Sequence, residues 1–297
     1  LMMPSLEAAR EYCRISPEEQ ALLESAAAPI VLLEPSGKPG LAPNVAPHSR
    51  YLGVMLPYSP LHHLLMRKFP FPIVATSGNY SDEPIAIDNA EALQRLASIA
   101  DVFLMHNRPV ARPCDDSVVR RGMMIRRARG YAPLPVPLTE DLRPLLAVGG
   151  HLKNTVAIAV GRQVFLSQHI GDLETVEARR AFENAIDDLC RLYRFEPRLV
   201  ACDLHPDYAS TRWAQASGLP LAPVQHHHAH VAACAAEHGL REPYLGVAWD
   251  GAGYGLDGTI WGGEFFLVEQ GRFTRLAHLR PFRLPGGEAA IREGRRA

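Results

Sequence analysis

The chain has 297 residues, 47% of them apolar, with 31 basic residues against 32 acidic ones. That length exceeds one ordinary hydrophobic core and calls for about two domains, while the even charge balance gives no bulk pull toward nucleic acid and no run of eighteen apolar residues argues for a membrane span. Cys13, Cys114, Cys190, Cys202 and Cys234 stand singly, without a C-x-x-C pair, which argues against a zinc ribbon and favours a reducing cytoplasmic setting over a disulfide framework.

In chain order, Ser5 to Cys13 and Ser16 to Ala28 are predicted helices. Ser16 caps the second, with Pro17 at the first helical position and Glu19 three residues after the cap. Pro29 to Glu34 follows as a buried strand, Pro60 to Lys68 as a helix, Ile73 to Ala75 as a strand, Asn89 to Ala100 as a helix and Val102 to His106 as a strand. This alternation predicts an α/β domain. Pro133, Pro135, Pro137 and Pro144 exclude a helix or a central strand over 132–144, so the sequence divides into domains of residues 1–138 and 139–297. Beyond that boundary Leu145 to Val148, Thr155 to Val160 and Gln163 to Ser167 read as three short strands of a meander. Glu174 to Tyr193 reads as a long amphipathic helix, with apolar residues at Val176, Phe182, Ala185, Ile186, Leu189 and Leu192. Leu199 to Cys202 is a predicted strand, Tyr208 to Ser217 a helix and Leu219 to Val224 an extended run. A helix opens at about His226, and strands follow at Tyr244 to Trp249, Thr259 to Val268 and Thr274 to Leu279.

Chemistry concentrates in a few places. In the first domain, Thr76-Ser77-Gly78-Asn79-Tyr80-Ser81 follows a predicted strand, where α/β folds bind phosphates. Ser117 lies beside a strand in Asp115-Asp116-Ser117-Val118-Val119-Arg120. Arg126, Arg127 and Arg129, with Arg112, Arg120 and Arg121 near in sequence, offer guanidinium groups that grip phosphate oxygens in pairs; a solvated basic face is the plainer account of the arginines alone. In the second domain, Gly149-Gly150-His151-Leu152-Lys153-Asn154 and Asp250-Gly251-Ala252-Gly253-Tyr254-Gly255 read as two strand-joining turns with exposed N–H groups, which suit phosphates. Between them lies Gln225-His226-His227-His228-Ala229-His230, flanked by apolar residues. On a helix His226 and His230 share one face, His227 and His228 point elsewhere, and Asp250 can complete a facial set for zinc or iron. A turn-forming role is the alternative for Asp250. Ser167-Gln168-His169-Ile170-Gly171-Asp172-Leu173-Glu174 has no generic reading beyond an N-cap at Asp172.

The first-domain runs resemble the YrdC-like family, which activates a carbonate or carbamate-type acid on ATP as an acyl adenylate. The matched positions are Ser77, Asn79, Ser81, Ser117 and Arg126, with Gly78 where the family usually has alanine. The second-domain runs, Ser-Gln-His-Ile-Gly-Asp-Leu-Glu and His-His-His-Ala-His in particular, are similar to the transferase domain of the HypF family of hydrogenase-maturation carbamoyltransferases.

The resemblance implies a YrdC-like twisted α/β domain followed by an actin-like, ribonuclease-H-like ATPase domain. It also implies ATP and Mg2+ as cofactors, with a second nucleotide site formed by Gly149, Gly150, Lys153, Asn154, Gly251, Gly253 and Gly255. A divalent metal, zinc or iron, would sit on His226, His230 and Asp250. Carbamoyl phosphate is the implied donor and the C-terminal cysteine thiol of the partner HypE the implied acceptor, in the cytoplasm. The family's acylphosphatase-like and zinc-finger regions, the basic motif that opens its YrdC-like domain, and one further metal-ligating aspartate are expected outside residues 1–297. Two other readings stay open on the residues: a threonylcarbamoyl-adenylate system for tRNA, which would want a basic RNA-binding face that this neutral chain lacks, and a non-catalytic fragment that binds metal or nucleotide.

Overall fold

The computed structural model describes residues 1–81 and 83–283; the stretch 284–297, the end of the expected transferase domain, lies outside the described residues. The chain forms two compact units that interleave along the sequence. The first takes in Leu1–Pro135, Lys153–Thr155 and Phe165–Leu189, and the second takes in Val136–Leu152, Val156–Val164 and the chain from Cys190 onward.

The first unit opens with α1 (Leu6–Tyr12), β1 (Cys13–Arg14) and α2 (Pro17–Leu23). Ser16 and Glu19 cap α2 reciprocally: the Ser16 hydroxyl accepts from the Glu19 N–H and the Glu19 carboxylate accepts from the Ser16 N–H. The helix stops at Leu23, earlier than Ala28, because the chain turns into β2 (Ile30–Pro35), which joins β3 (Leu52–Val54), β4 (Val118–Arg120) and β5 (Met123–Arg126). In this five-stranded sheet β2 pairs antiparallel with β1 and β3 and parallel with β4, and β4 turns back into β5. Alternate residues of β2, Val31 and Leu33, are fully buried with Met3, Ala9, Leu23 and Val54, which fixes the sheet's register. Helices α3 (Pro60–Lys68) and α4 (Asn89–Arg95) follow, capped by Ser59 and Asp88.

Two expected strands of this unit are not strands. Of Ile73 to Ala75 only Ile73 finds a ladder partner, Met2, as an isolated bridge, and over 102–106 Val102 and Leu104 are exposed and lie in no strand. Apolar alternation alone does not make a strand when no edge is near to receive its N–H and C=O groups. Likewise α4 ends at Arg95, short of Ala100.

Past Pro135 the prolines do not stop a strand: β6 runs from Pro135 to Ala147. It pairs parallel with β8 (Val200–Asp203) only at Leu146 and Ala147, so its proline-bearing part is an edge on that side, where a missing N–H breaks no ladder. The two short strands expected over 155–167 are one, β7 (Ala157–Leu166), with Gly161 absorbing a positive φ in mid-strand. The sheet order is β7-β6-β8-β9, where β9 (Leu221–Val224) lies parallel to β8. Helix α5 (Val176–Tyr193) buries Ala178, Phe182, Ala185, Ile186 and Leu189, and its cap is the Thr175 hydroxyl, which accepts from the Ala178 N–H; Asp172 is not the cap.

Helices α6 (Ala209–Ala216) and α7 (His226–Glu237) complete the set, with a meander of β10 (Tyr244–Tyr254), β11 (Ile260–Glu269) and β12 (Arg272–His278). Val231 of α7 packs with Ala248, Trp261, Phe266 and Val268 of the meander. The fit is close at Gly246, where a Cβ would overlap the Val231 side chain. No helix among the described residues is long and apolar enough to cross a membrane, and all five cysteines are free thiols.

Candidate functional site

In the second unit the histidine site is built by register. Parallel pairing sets Asp203, the last residue of β8, beside Val224, the last of β9, and α7 begins two residues later at His226. The carboxyl ends of two parallel strands thereby deliver an acid and a helix start to one edge. Gln225 caps α7: its side chain accepts from the His228 N–H at 3.0 Å and its amide nitrogen donates to the Tyr254 carbonyl. Strand β10 carries an irregularity between Trp249 and Gly253, the kind of bulge that re-aims a side chain, and Asp250 sits within it.

Three donor atoms converge. His226 Nε2 lies 2.8 Å from Asp250 Oδ2, His230 Nε2 lies 3.5 Å from the same oxygen, and the two imidazole nitrogens are 3.2 Å apart. Donors each about 2.0–2.2 Å from one cation stand roughly 3.0–3.5 Å from one another, so these residues fit a divalent metal in chemistry and spacing. Without a metal the proton takes its place: hydrogen bonds to Asp203 and then Asp250 push the His226 pKa up to about 9, and His226, with His230 behind it, holds the Asp250 carboxyl well below the usual carboxylate range.

Asp203 is a candidate site residue that the sequence did not reveal. Its buried carboxylate accepts from His226 Nδ1 at 2.6 Å, which keeps the proton on that nitrogen and leaves Nε2 as the lone-pair donor. Its other oxygen accepts from the His205 N–H, and its carbonyl from the Thr211 hydroxyl, so the acid is held rigidly. The signal lay in its place at the end of a strand, but only the parallel register connects it to His226. Replacing Asp203 with asparagine is expected to weaken zinc binding by about 10–100-fold while leaving the chain folded. A metal titration checks it, and unchanged affinity would remove Asp203 from the site.

The other two histidines are packing residues, as their helical phase predicts. His227 is fully buried, and a Cβ on Gly253 would come within 2.6 Å of its ring. His228 stacks on Phe273 at 4.3 Å. The glycine run after Asp250 is mostly strand rather than loop. Gly253 pairs with Trp261 in the meander, the Gly251 N–H is donated to Asp250 Oδ1, and the Gly255 N–H is donated to the Thr259 carbonyl to close the turn. The expectation of exposed N–H groups is therefore not met at Gly251 and Gly255, because the strand is longer than the sequence suggests. Gly149 takes a left-handed φ of 66°, and Gly150 faces the His226 ring.

The first unit holds a cavity of about 300 Å³ lined by Ser77, Asn79, Cys114, Asp115 and Arg126, together with Lys153 and the run 168–172. Arg126, at the end of β5, lies 3.6 Å from Asp115. Asn79 donates its amide to the carbonyls of Tyr80 and Glu83, which shapes the loop, and its Oδ1 is shielded from solvent without a protein donor. A ligand N–H or O–H would satisfy it. Lys153, expected with Gly149 and Gly150 in the second nucleotide set, lines this cavity.

Two matched positions are placed elsewhere. Ser81 is exposed off the cavity, and Ser117 is fully buried, accepting from the Ala128 N–H and donating to the Arg129 carbonyl. Nor do the arginines gather: Arg112 pairs with Asp188, Arg120 lies over the Tyr51 ring, Arg121 pairs with Glu34 and Arg129 reaches Asp116 and the carbonyls of Ala27 and Ala28. Arg126 alone of them lines the cavity.

Comparison with known proteins divides the chain between residues 128 and 140, whereas the compact units place 153–155 and 165–189 with the first. Residues 1–128 match a family model described as telomere recombination, the Sua5, YciO and YrdC group; 140–237 match the HypF Kae1-like domain, and 246–297 match the second subdomain of a carbamoyltransferase Kae1-like domain. Fold and matches define a mixed α/β protein of the class that joins a YrdC-like domain to a Kae1-like one. The carbamoyltransferase HypF of Synechocystis sp. is 53% identical over 92% of this chain and 36% of its own length, and that of Rhizobium leguminosarum bv. viciae is 44% identical over 99% and 40%. A crystal structure of full-length HypF in a phosphate- and nucleotide-bound form superposes with a TM-score of 0.92 at 48% identity, covering 97% of this chain and 46% of that one. The chain belongs to the HypF family, and it spans less than half the length of these relatives.

Proposed function

We propose that the chain carries the adenylate-forming and carbamoyl-transferring parts of a hydrogenase-maturation carbamoyltransferase. Water hydrolyses carbamoyl phosphate to carbamate and inorganic phosphate, and the carbamate oxygen attacks the α-phosphorus of Mg-ATP in the first-unit cavity. Pyrophosphate leaves and carbamoyl adenylate forms. The thiolate of a C-terminal cysteine of HypE then attacks the carbamoyl carbon, AMP leaves, and the thiol proton passes to solvent.

The observation that carries this reading is the unsatisfied Asn79 Oδ1 in a cavity that also holds Arg126. A carbamate offers both halves of the match, N–H donors for the amide oxygen and an anion for the guanidinium. Ser77 adds a hydroxyl on the same cavity. In the second unit His226, His230 and Asp250 would hold zinc or iron, which supplies Lewis-acid polarisation when bound. Asp203 orients His226, and Gln225 fixes the start of the helix. Exchange of labelled pyrophosphate into ATP tests the first half: it should require carbamate, supplied directly or from carbamoyl phosphate. Exchange at the same rate without either would overturn the assignment.

A further inference from the structure

The run Gln168-His169-Ile170-Gly171-Asp172, for which the sequence offers no chemical reading, lines the same cavity as Ser77, Asn79 and Arg126. It is fastened at both ends. The His169 N–H is donated to the Arg127 carbonyl at 3.1 Å, one residue past β5. The Lys153 N–H is donated to Asp172 Oδ1 at 2.7 Å, and Asn154 exchanges bonds with Ile170 and Gly171. Lys153 adopts this position with a φ of 48°, a left-handed conformation that glycine or asparagine takes more readily than lysine. A lysine held there against its backbone preference, with its residue on a polar cavity, points to a need for its charge. Arg126, Asp115, Asp172 and Lys153 all act electrostatically on the half-buried His169 ring, whose pKa is lowered by burial and then by Arg126. Two of the four are carboxylates already engaged, Asp115 with Arg126 and Asp172 with the Lys153 backbone. Arg126 is itself paired with Asp115, which leaves the Lys153 ammonium as the cation available to an anion.

We propose that Lys153 and His169 form a second wall of the nucleotide site in this cavity, Lys153 as a second cation beside Arg126 for phosphate oxygens and His169 as a hydrogen-bonding partner of the bound nucleotide. The proposal rests on the adenylate-forming reading above and adds ligand-binding residues outside the span of the matched YrdC-type segment. Both bind the nucleotide directly, and neither is assigned a step in bond making.

ATP is the probe, and its dissociation constant is measured calorimetrically for the whole chain and its variants. Lys153→Gln should weaken ATP binding about 10-fold, the loss of one charge-assisted contact, and His169→Ala should weaken it also. Lys153→Arg should restore most of the affinity. Lys153→Asn suits the left-handed backbone, so it separates loss of charge from loss of fold, and it should bind as weakly as Lys153→Gln with an unchanged unfolding midpoint. Full affinity in Lys153→Asn and Lys153→Gln, with binding lost in Arg126→Ala, would overturn the second wall and leave the adenylate reading standing. No ATP binding by the unsubstituted chain would overturn both.

Discussion

Replacing His226 with alanine is expected to remove stoichiometric zinc or iron from the chain, lowering metal affinity by more than about 100-fold, beyond the ~10–100-fold range of an outer-shell change. The imidazole is the hub of its site: Nδ1 meets Asp203 at 2.6 Å, and Nε2 meets Asp250 at 2.8 Å and His230 at 3.2 Å. Its loss leaves two donors, one of them exposed, and strands the buried Asp203 carboxylate without its partner. His228→Ala is the contrast, because that ring stacks on Phe273 and faces no donor cluster. It should cost stability and retain metal. Elemental analysis of both purified variants checks the pair, and equal metal content would refute the assignment of His226, His230 and Asp250 as ligands.

The second large effect is expected in the first unit. Ser77→Ala combined with Arg126→Ala should slow carbamate-dependent pyrophosphate exchange by about 100-fold or more, the scale seen when a preorganised donor to developing phosphate or oxyanion charge is lost. Ser117→Ala should behave differently although its position also matches the YrdC-like pattern. Its hydroxyl bridges the Ala128 N–H and the Arg129 carbonyl in a fully buried site, so its removal leaves a buried donor unsatisfied and costs about 1–3 kcal/mol of stability. Denaturant unfolding and exchange rates measured on the same preparations separate the two outcomes. Undiminished exchange in the double variant would sink the role of Ser77 and Arg126.

Much of this was legible in the residues because it is local. The Ser16–Glu19 capping box, the helix opening at His226 and the four-residue spacing of His226 and His230 depend on neighbours within one turn. Asp250 was legible as a donor, while the strand irregularity that aims it was not. What depends on distant pairing was hidden. Asp203 reaches His226 only through the parallel register of β8 and β9, and Lys153 joins Arg126 only because 153–155 and 165–189 fold with the first unit. The prolines of 132–144 predict a barrier, yet a strand passes through Pro135, Pro137 and Pro144, since β8 pairs beyond them at Leu146 and Ala147. Ser117 illustrates the opposite error: a hydroxyl beside a strand can be spent entirely on the backbone. The expected strands at Ile73 and Val102 failed for want of a ladder, which no local pattern reports.

Transfer of a radiolabelled carbamoyl group from carbamoyl phosphate to a HypE C-terminal peptide, assayed with ATP and the metal-loaded protein, tests the central claim most directly. Label is expected on the cysteine sulfur, to require ATP, and to be lost in both His226→Ala and the Ser77→Ala, Arg126→Ala double variant. Label that reaches the peptide without ATP, or that goes with threonine to tRNA instead, would contradict it.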